Sequence, residues 1–115
     1  MKLRHATPSR NLASIHRRGL LTAKSKGKLP VVWLHAPSKS AWAMLHTVKR
    51  HGGRIEAVAV IELNVPRRWL RKSRRGLWYC RRDIPAFRFR KVSNFAELAG
   101  PSIDEKPVRP LALAS

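Results

Sequence analysis

Arginine and lysine carry the strongest chemical signal in this sequence. There are 25 of them against 6 acids, a net charge of +19. Residues 67–91 alone hold 11 basic residues and one acid, Asp83. Arg67, Arg68, Arg71, Lys72, Arg74 and Arg75 fall within nine residues, and Arg81 and Arg82 follow. Six acids cannot pair so many cations, so the chain repels itself and favours a polyanionic partner. Guanidinium and ammonium groups neutralise phosphates and release counterions. Trp69, Trp78, Tyr79, Phe87 and Phe89 are interleaved with them and can either stack on exposed bases or fill a core. Nucleic acid, DNA or RNA, is therefore the expected partner, and these eight basic residues are the expected contacts.

The remaining reactive side chains are sparse. His5 lies near the start of the chain, and His35 sits on a short loop before a candidate helix. There it can meet a phosphate at the helix start or merely end a strand. His46 and His51 are five apart, the wrong spacing for the zinc-binding pair on one helical face. No metal site is expected. Ser9, Ser38 and Ser40 have no His/Asp arrangement that would make a nucleophile, and capping explains them. Cys80 is the single cysteine, so no intrachain disulfide can form and a reducing, cytoplasmic compartment is expected. Its neighbours Arg81 and Arg82 would lower its pKa if it were exposed; in a buried strand it is an inert thiol. Gly52-Gly53 and Gly27 match neither the dinucleotide nor the P-loop fingerprint.

These residues need elements to hold them. A chain of 115 residues suggests one domain. No run approaches 18 apolar residues and the N-terminus has no signal-peptide core, so no membrane partner is expected. Residues 2–7 can form a strand. Thr7-Pro8 can start a helix carrying Leu12 and Ile15, and Gly19 fits just past its end. The stretch 29–50 reads as a strand, Val31 to Leu34, that feeds a helix through a polar loop. That helix presents Ala41, Leu45 and Val48 on one face and stops at Gly52-Gly53. Residues 55–65 form the clearest strand, apolar on both faces in its middle and so covered on both sides. Pro66 opens a short helical turn and a loop over 67–75. Residues 77–80 and 87–90 read as strands, and Ser93 caps one turn. The class is α+β: a small single domain, residues 1–95, with a mixed, mainly antiparallel sheet and two flanking helices. Residues 96–115, with three prolines among them, form an extended or disordered tail.

Several segments also carry a family resemblance. Leu3-Arg4-His5-Ala6-Thr7 resembles the first strand of the ADP-ribosyltransferase-like superfamily, often written H-G-T. Asn11 to Ile15 with Arg18-Gly19-Leu20-Leu21 resembles the next helix, ending in "GL". Val32-Trp33-Leu34 with Ala41 and Leu45 is similar to the family's "YL" strand and following helix. Leu77 to Val92, with Ile84-Pro85, is similar to the closing strands. The superfamily includes DNA-modifying ADP-ribosyltransferase toxins and NAD-using RNA 2′-phosphotransferases. The resemblance implies NAD as the small molecule. It implies that His5 and Thr7 meet the nicotinamide ribose, that Trp33 stacks on nicotinamide in place of the usual tyrosine, and that His35 stands nearby. The family's late-strand glutamate has no counterpart in GLWYCRRDIP. Asp83 lies close by, at a turn, and Glu62 lies on the long strand; Glu62 is taken with His5 as the candidate catalytic residues. The 2′-phosphotransferases manage without that glutamate and work with arginines and a histidine. The expected function is thus a small basic ADP-ribosyltransferase-like protein acting on or binding nucleic acid. The alternative is a non-catalytic nucleic-acid-binding protein that works through the basic face at 67–91.

Overall fold

The apolar run before Pro66 becomes the best-buried strand of the molecule. In the computed structural model, which describes residues 1–25 and 27–98, the chain folds as β1 (Lys2–Pro8), α1 (Leu12–Arg18), β2 (Val32–His35), α2 (Ser40–His51), β3 (Val58–Asn64), β4 (Leu70–Arg74), β5 (Leu77–Cys80) and β6 (Phe89–Asn94). Val58, Ala59, Val60 and Ile61 are all buried, as expected for a strand covered on both faces. The six strands form one sheet in the order β4-β5-β2-β1-β3-β6. Every neighbouring pair is antiparallel. The sheet is therefore not mixed. β2 and β3 run the same way, but β1 lies between them and opposes both, so no parallel pair forms.

Each face of the sheet has its own core. On one, α2 buries Ser40, Ala43, Met44 and Thr47. Met44 packs with Val58 and Val60, flanked by Ala6, Val48, Ile55, Phe95 and Leu98. The face expected from the sequence was Ala41, Leu45 and Val48. Ala41 is exposed, Leu45 is 61% exposed, and only Val48 turns partly inward. Both stripes have the helical period, and the helix is rolled toward the stripe whose first residue, Ser40, is hydrogen-bonded to β1 through Arg4. On the other face, Leu3, Val32, Leu34, Ile61, Leu63, Cys80 and Ile84 form the larger core, with Leu12 and Ile15 of α1 packed against it.

Gly19 ends α1 with φ 81°. Its amide donates to the Ile15 carbonyl, and the next residues form an isolated bridge in which Leu20 and Ile84 exchange both backbone hydrogen bonds at 2.8 Å. This staple ties the loop after β5 to the end of α1. Three local expectations need correction. The helix begins at Leu12, after a 3-10 turn at Ser9–Asn11, not at Pro8, which ends β1. The short helical turn expected after Pro66 is present, but the loop expected to follow it is a strand. A 3-10 turn at Arg67–Trp69 leads into β4, which pairs with β5 through a turn at Gly76. β5 would otherwise present an open edge, and the strand that covers it is charged, as protected edges commonly are. The turn at residues 95–98 is capped by Asn94, not Ser93. Asn94 Oδ1 accepts from the Glu97 amide and Glu97 Oε1 from the Asn94 amide, both at 2.8 Å, a reciprocal capping box. The domain thus reaches Leu98; of the tail expected at 96–115, residues 99–115 lie outside the described residues.

Candidate functional site

Strand register decides which candidate residues can meet. β1 and β2 share a single registered pair, Arg4 with His35. Beyond it the backbone ladder stops, and the Trp33 carbonyl accepts instead from His5 Nδ1 at 2.7 Å. A carbonyl can only accept, so Nδ1 carries the proton and Nε2 of the neutral ring is an acceptor. Burial lowers the His5 pKa, with nearby His51 adding to it, while the bond to the Trp33 carbonyl pulls the other way. His5 and Trp33 are thus joined through Trp33's backbone. Alternation from the Arg4–His35 pair puts the Trp33 and His35 side chains on the α2 face of the sheet, and His5 on the opposite one.

His35 is 3% exposed, and Ser40 Oγ stands 3.3 Å from its Nε2. Arg4 donates to the same Ser40 oxygen at 2.9 Å, which leaves the hydroxyl proton for His35. Burial, then the neighbouring His5 and Arg4, lower the His35 pKa to about 4. His35 is therefore neutral at pH 7 and built into the α2 start. Glu62 lies on the same face, with carboxylate oxygens 3.5 Å from Arg4 and 3.6 Å from Lys2. Register pairs it with Arg4, not with His5, so the two expected catalytic residues are on different faces of the sheet. Thr7 is buried, its hydroxyl 3.5 Å from Asn11 Nδ2. Trp33 is 41% exposed and meets Tyr79 ring to ring at 5.4 Å. Tyr79 in turn pairs with Arg71, so Trp33, Tyr79 and Arg71 form one row across three strands.

That row leads to the basic edge. Arg67, Arg68, Arg71, Lys72, Arg74, Arg75, Arg81 and Arg82 are all exposed. The three ion pairs formed among the described residues use Lys2, Arg4 and Arg54, and none of these eight. Arg68, Arg71, Arg81 and Arg82 converge around Trp69 on a concavity of about 340 Å³. The Arg82 guanidinium lies 3.9 Å from the Trp69 ring centroid, and Arg88 lies 4.9 Å from it. Trp69 was expected to be core or a base-stacking platform. It is half-buried, packs against the larger core, and offers its ring to the chain's own arginines. Such stacking holds guanidinium groups in place. Arg88 carries this arrangement together with Trp69, and no spacing in the sequence pointed to it, because the contact joins turns 19 residues apart.

Cys80 is fully buried, with its thiol 3.3 Å from the Arg82 carbonyl; burial raises its pKa, against the pull of that bond and of Arg82. It is the inert thiol, not the activated one. Among the described residues no group of three or more His, Cys, Asp or Glu could hold a metal ion. No helix among them is long and apolar enough to cross a membrane. No protein-family model matches this chain, and no curated protein matches it in sequence.

Proposed function

We propose that this protein binds nucleic acid through the basic edge formed by β4, the turn before it and the loop after β5. The observation that carries this reading is the set of eight exposed basic residues, none of them engaged by an acid, with four converging around Trp69. Uncompensated charge of this density costs the fold stability, which a polyanion restores. Contact by the arginines is with phosphate, so affinity depends on salt more than on sequence. The single buried thiol accords with a cytoplasmic protein. The test is binding of labelled oligonucleotides across a salt series. If about five cations reach phosphates, log affinity falls against log salt with a slope of about −3.5 on single strands. Replacing Arg71, Arg74 and Arg75 together by Ala should flatten the slope by about two. Wild-type protein that binds neither single strand nor duplex at low salt refutes the reading.

A second reading rests on His5. A neutral histidine held by the Trp33 carbonyl, where β1 and β2 part, keeps an acceptor nitrogen for a ribose hydroxyl. Together with the ADP-ribosyltransferase resemblance, this supports NAD as a substrate, with nucleic acid on the basic edge as the acceptor. Thr7, buried against Asn11, would have no part in it, and neither would Glu62 or the Trp33 ring, which lie on the other face of the sheet. Calorimetric titration with NAD tests it: binding that His5→Ala abolishes supports it, and no heat with or without an oligonucleotide removes it.

A further inference from the structure

Phe87 is the most exposed large apolar side chain described, at 77%. It sits in the 3-10 turn Ala86–Arg88, whose Arg88 lies over Trp69 in the wall of the arginine concavity. The Arg88 guanidinium lies 5.4 Å from its ring centroid and 4.9 Å from that of Trp69, so one guanidinium borders both rings. The rings differ in what they can offer. Trp69 is stacked by Arg82 and Arg88. Phe87 is open to solvent.

The polar lining of the concavity is made of donors. Arg68, Arg71, Arg81 and Arg82 line it with Trp69, whose buried Nε1 has no acceptor in the fold; beside Trp69, Arg88 Nε is likewise buried without an acceptor. The four described acids are all turned elsewhere. Glu62 holds Lys2 and Arg4, and Glu56 holds Arg54. Asp83 accepts from the Thr22 amide and hydroxyl, and Glu97 caps at Asn94. A ligand with acceptors only, such as phosphate, suits this lining; a base edge with its own donors suits it less.

From this juxtaposition we infer a nucleotide subsite for single-stranded nucleic acid: the arginines around Trp69 take a backbone phosphate while Phe87 stacks on the neighbouring base. A base is free to lie on Phe87 only when it has left a duplex stack, so the subsite selects single strands. Stacking on an exposed aromatic is tolerant of sequence, because every base has a flat face. This inference rests on the nucleic-acid reading above and adds the strand preference and the stacking residue to it.

The test uses the whole chain and three probes of equal length: a thymidine decamer, a duplex, and an abasic strand that keeps the phosphates without bases. Wild type should bind the thymidine strand about tenfold more tightly than the abasic one. Phe87→Ala should erase that preference, weaken thymidine-strand binding about tenfold, and leave duplex and abasic binding within about twofold. Its salt slope should stay that of wild type, because losing a stack releases no counterions. Phe87→Tyr should restore the preference. Arg81→Ala with Arg82→Ala should instead flatten the slope by about 1.4 on single strands and weaken all three probes. Salt-dependent binding in which Phe87→Ala changes nothing, or weakens thymidine and abasic strands alike, overturns the subsite and leaves the nucleic-acid reading intact. Absence of wild-type binding to all three probes overturns both.

Discussion

Replacing Gly19 by Ala tests how the basic edge is held in place. Gly19 has φ 81° and ψ −170°, a region that only glycine enters without strain. An added Cβ would also stand 2.3 Å from the Ile84 carbonyl oxygen, far inside contact distance. That oxygen accepts from the Leu20 amide at 2.8 Å, and the Ile84 amide returns the bond to Leu20. The backbone strain costs about 1–3 kcal/mol. Pushing Ile84 away sacrifices two hydrogen bonds of about 1 kcal/mol each. The expected loss is about 4 kcal/mol, which for a domain of this size lowers the melting temperature by roughly 15 °C or more. Gly53 is the control. It has φ 91° but nothing within 4 Å of the added Cβ, so Gly53→Ala should cost only the strain, about 1–3 kcal/mol. Urea and thermal denaturation of both variants give the comparison. Because Ile84 lies two residues after Arg82, the folded fraction of Gly19→Ala should also bind oligonucleotide more weakly, whereas Gly53→Ala should bind like wild type. Equal destabilisation by the two substitutions would refute the claim that the Leu20–Ile84 staple is a tight, position-specific contact.

Acid should weaken the fold between pH 6.5 and about 4. His35 titrates at about 4 when folded and at its ordinary 6.5 when unfolded, so in that window the unfolded chain takes up the proton first; up to about 3 kcal/mol is lost as pH falls. His5 acts in the same direction. Urea titrations at pH 7 and 4.5 should show a smaller pH effect in His35→Gln, and identical pH profiles for the two proteins would contradict this. Glu62→Gln should lower stability by about 1 kcal/mol, since it leaves the half-buried Arg4 without its counter-charge, and Arg4→Gln on top should cost little more; fully additive losses would show that the pair is not coupled. Asp83→Ala should loosen the loop after β5 and weaken oligonucleotide binding a few-fold, because Asp83 Oδ1 accepts both hydrogen bonds from Thr22; unchanged affinity would mean that the loop is held by the staple alone.

Most of the strands were legible in the sequence because their signals are local. The buried run before Pro66, the short apolar strand after Pro30 and the glycine that ends α1 each depend on a few neighbouring residues, and the structure has all three. Charge was legible too, since a sum over residues needs no geometry, and with only six acids the exposed cations could not all be paired. What tertiary structure alone decided are the choices between equivalent local patterns. Two stripes of α2 have the same period, and packing of Met44 against Val58 and Val60 of β3 accompanies burial of the one that begins at Ser40. Residues 70–74 have no apolar alternation that announces a strand, and they become one because β5 has an edge to fill. His5 and Glu62 sit on one candidate list, yet register turns them to opposite faces, since neighbouring residues on a strand alternate. The arginine cluster around Trp69 draws on the turn before β4, the loop after β5 and Arg88. Residues so far apart along the chain meet only after the sheet has formed, and so the sequence determined how much charge this protein carries while the tertiary structure decided where that charge converges.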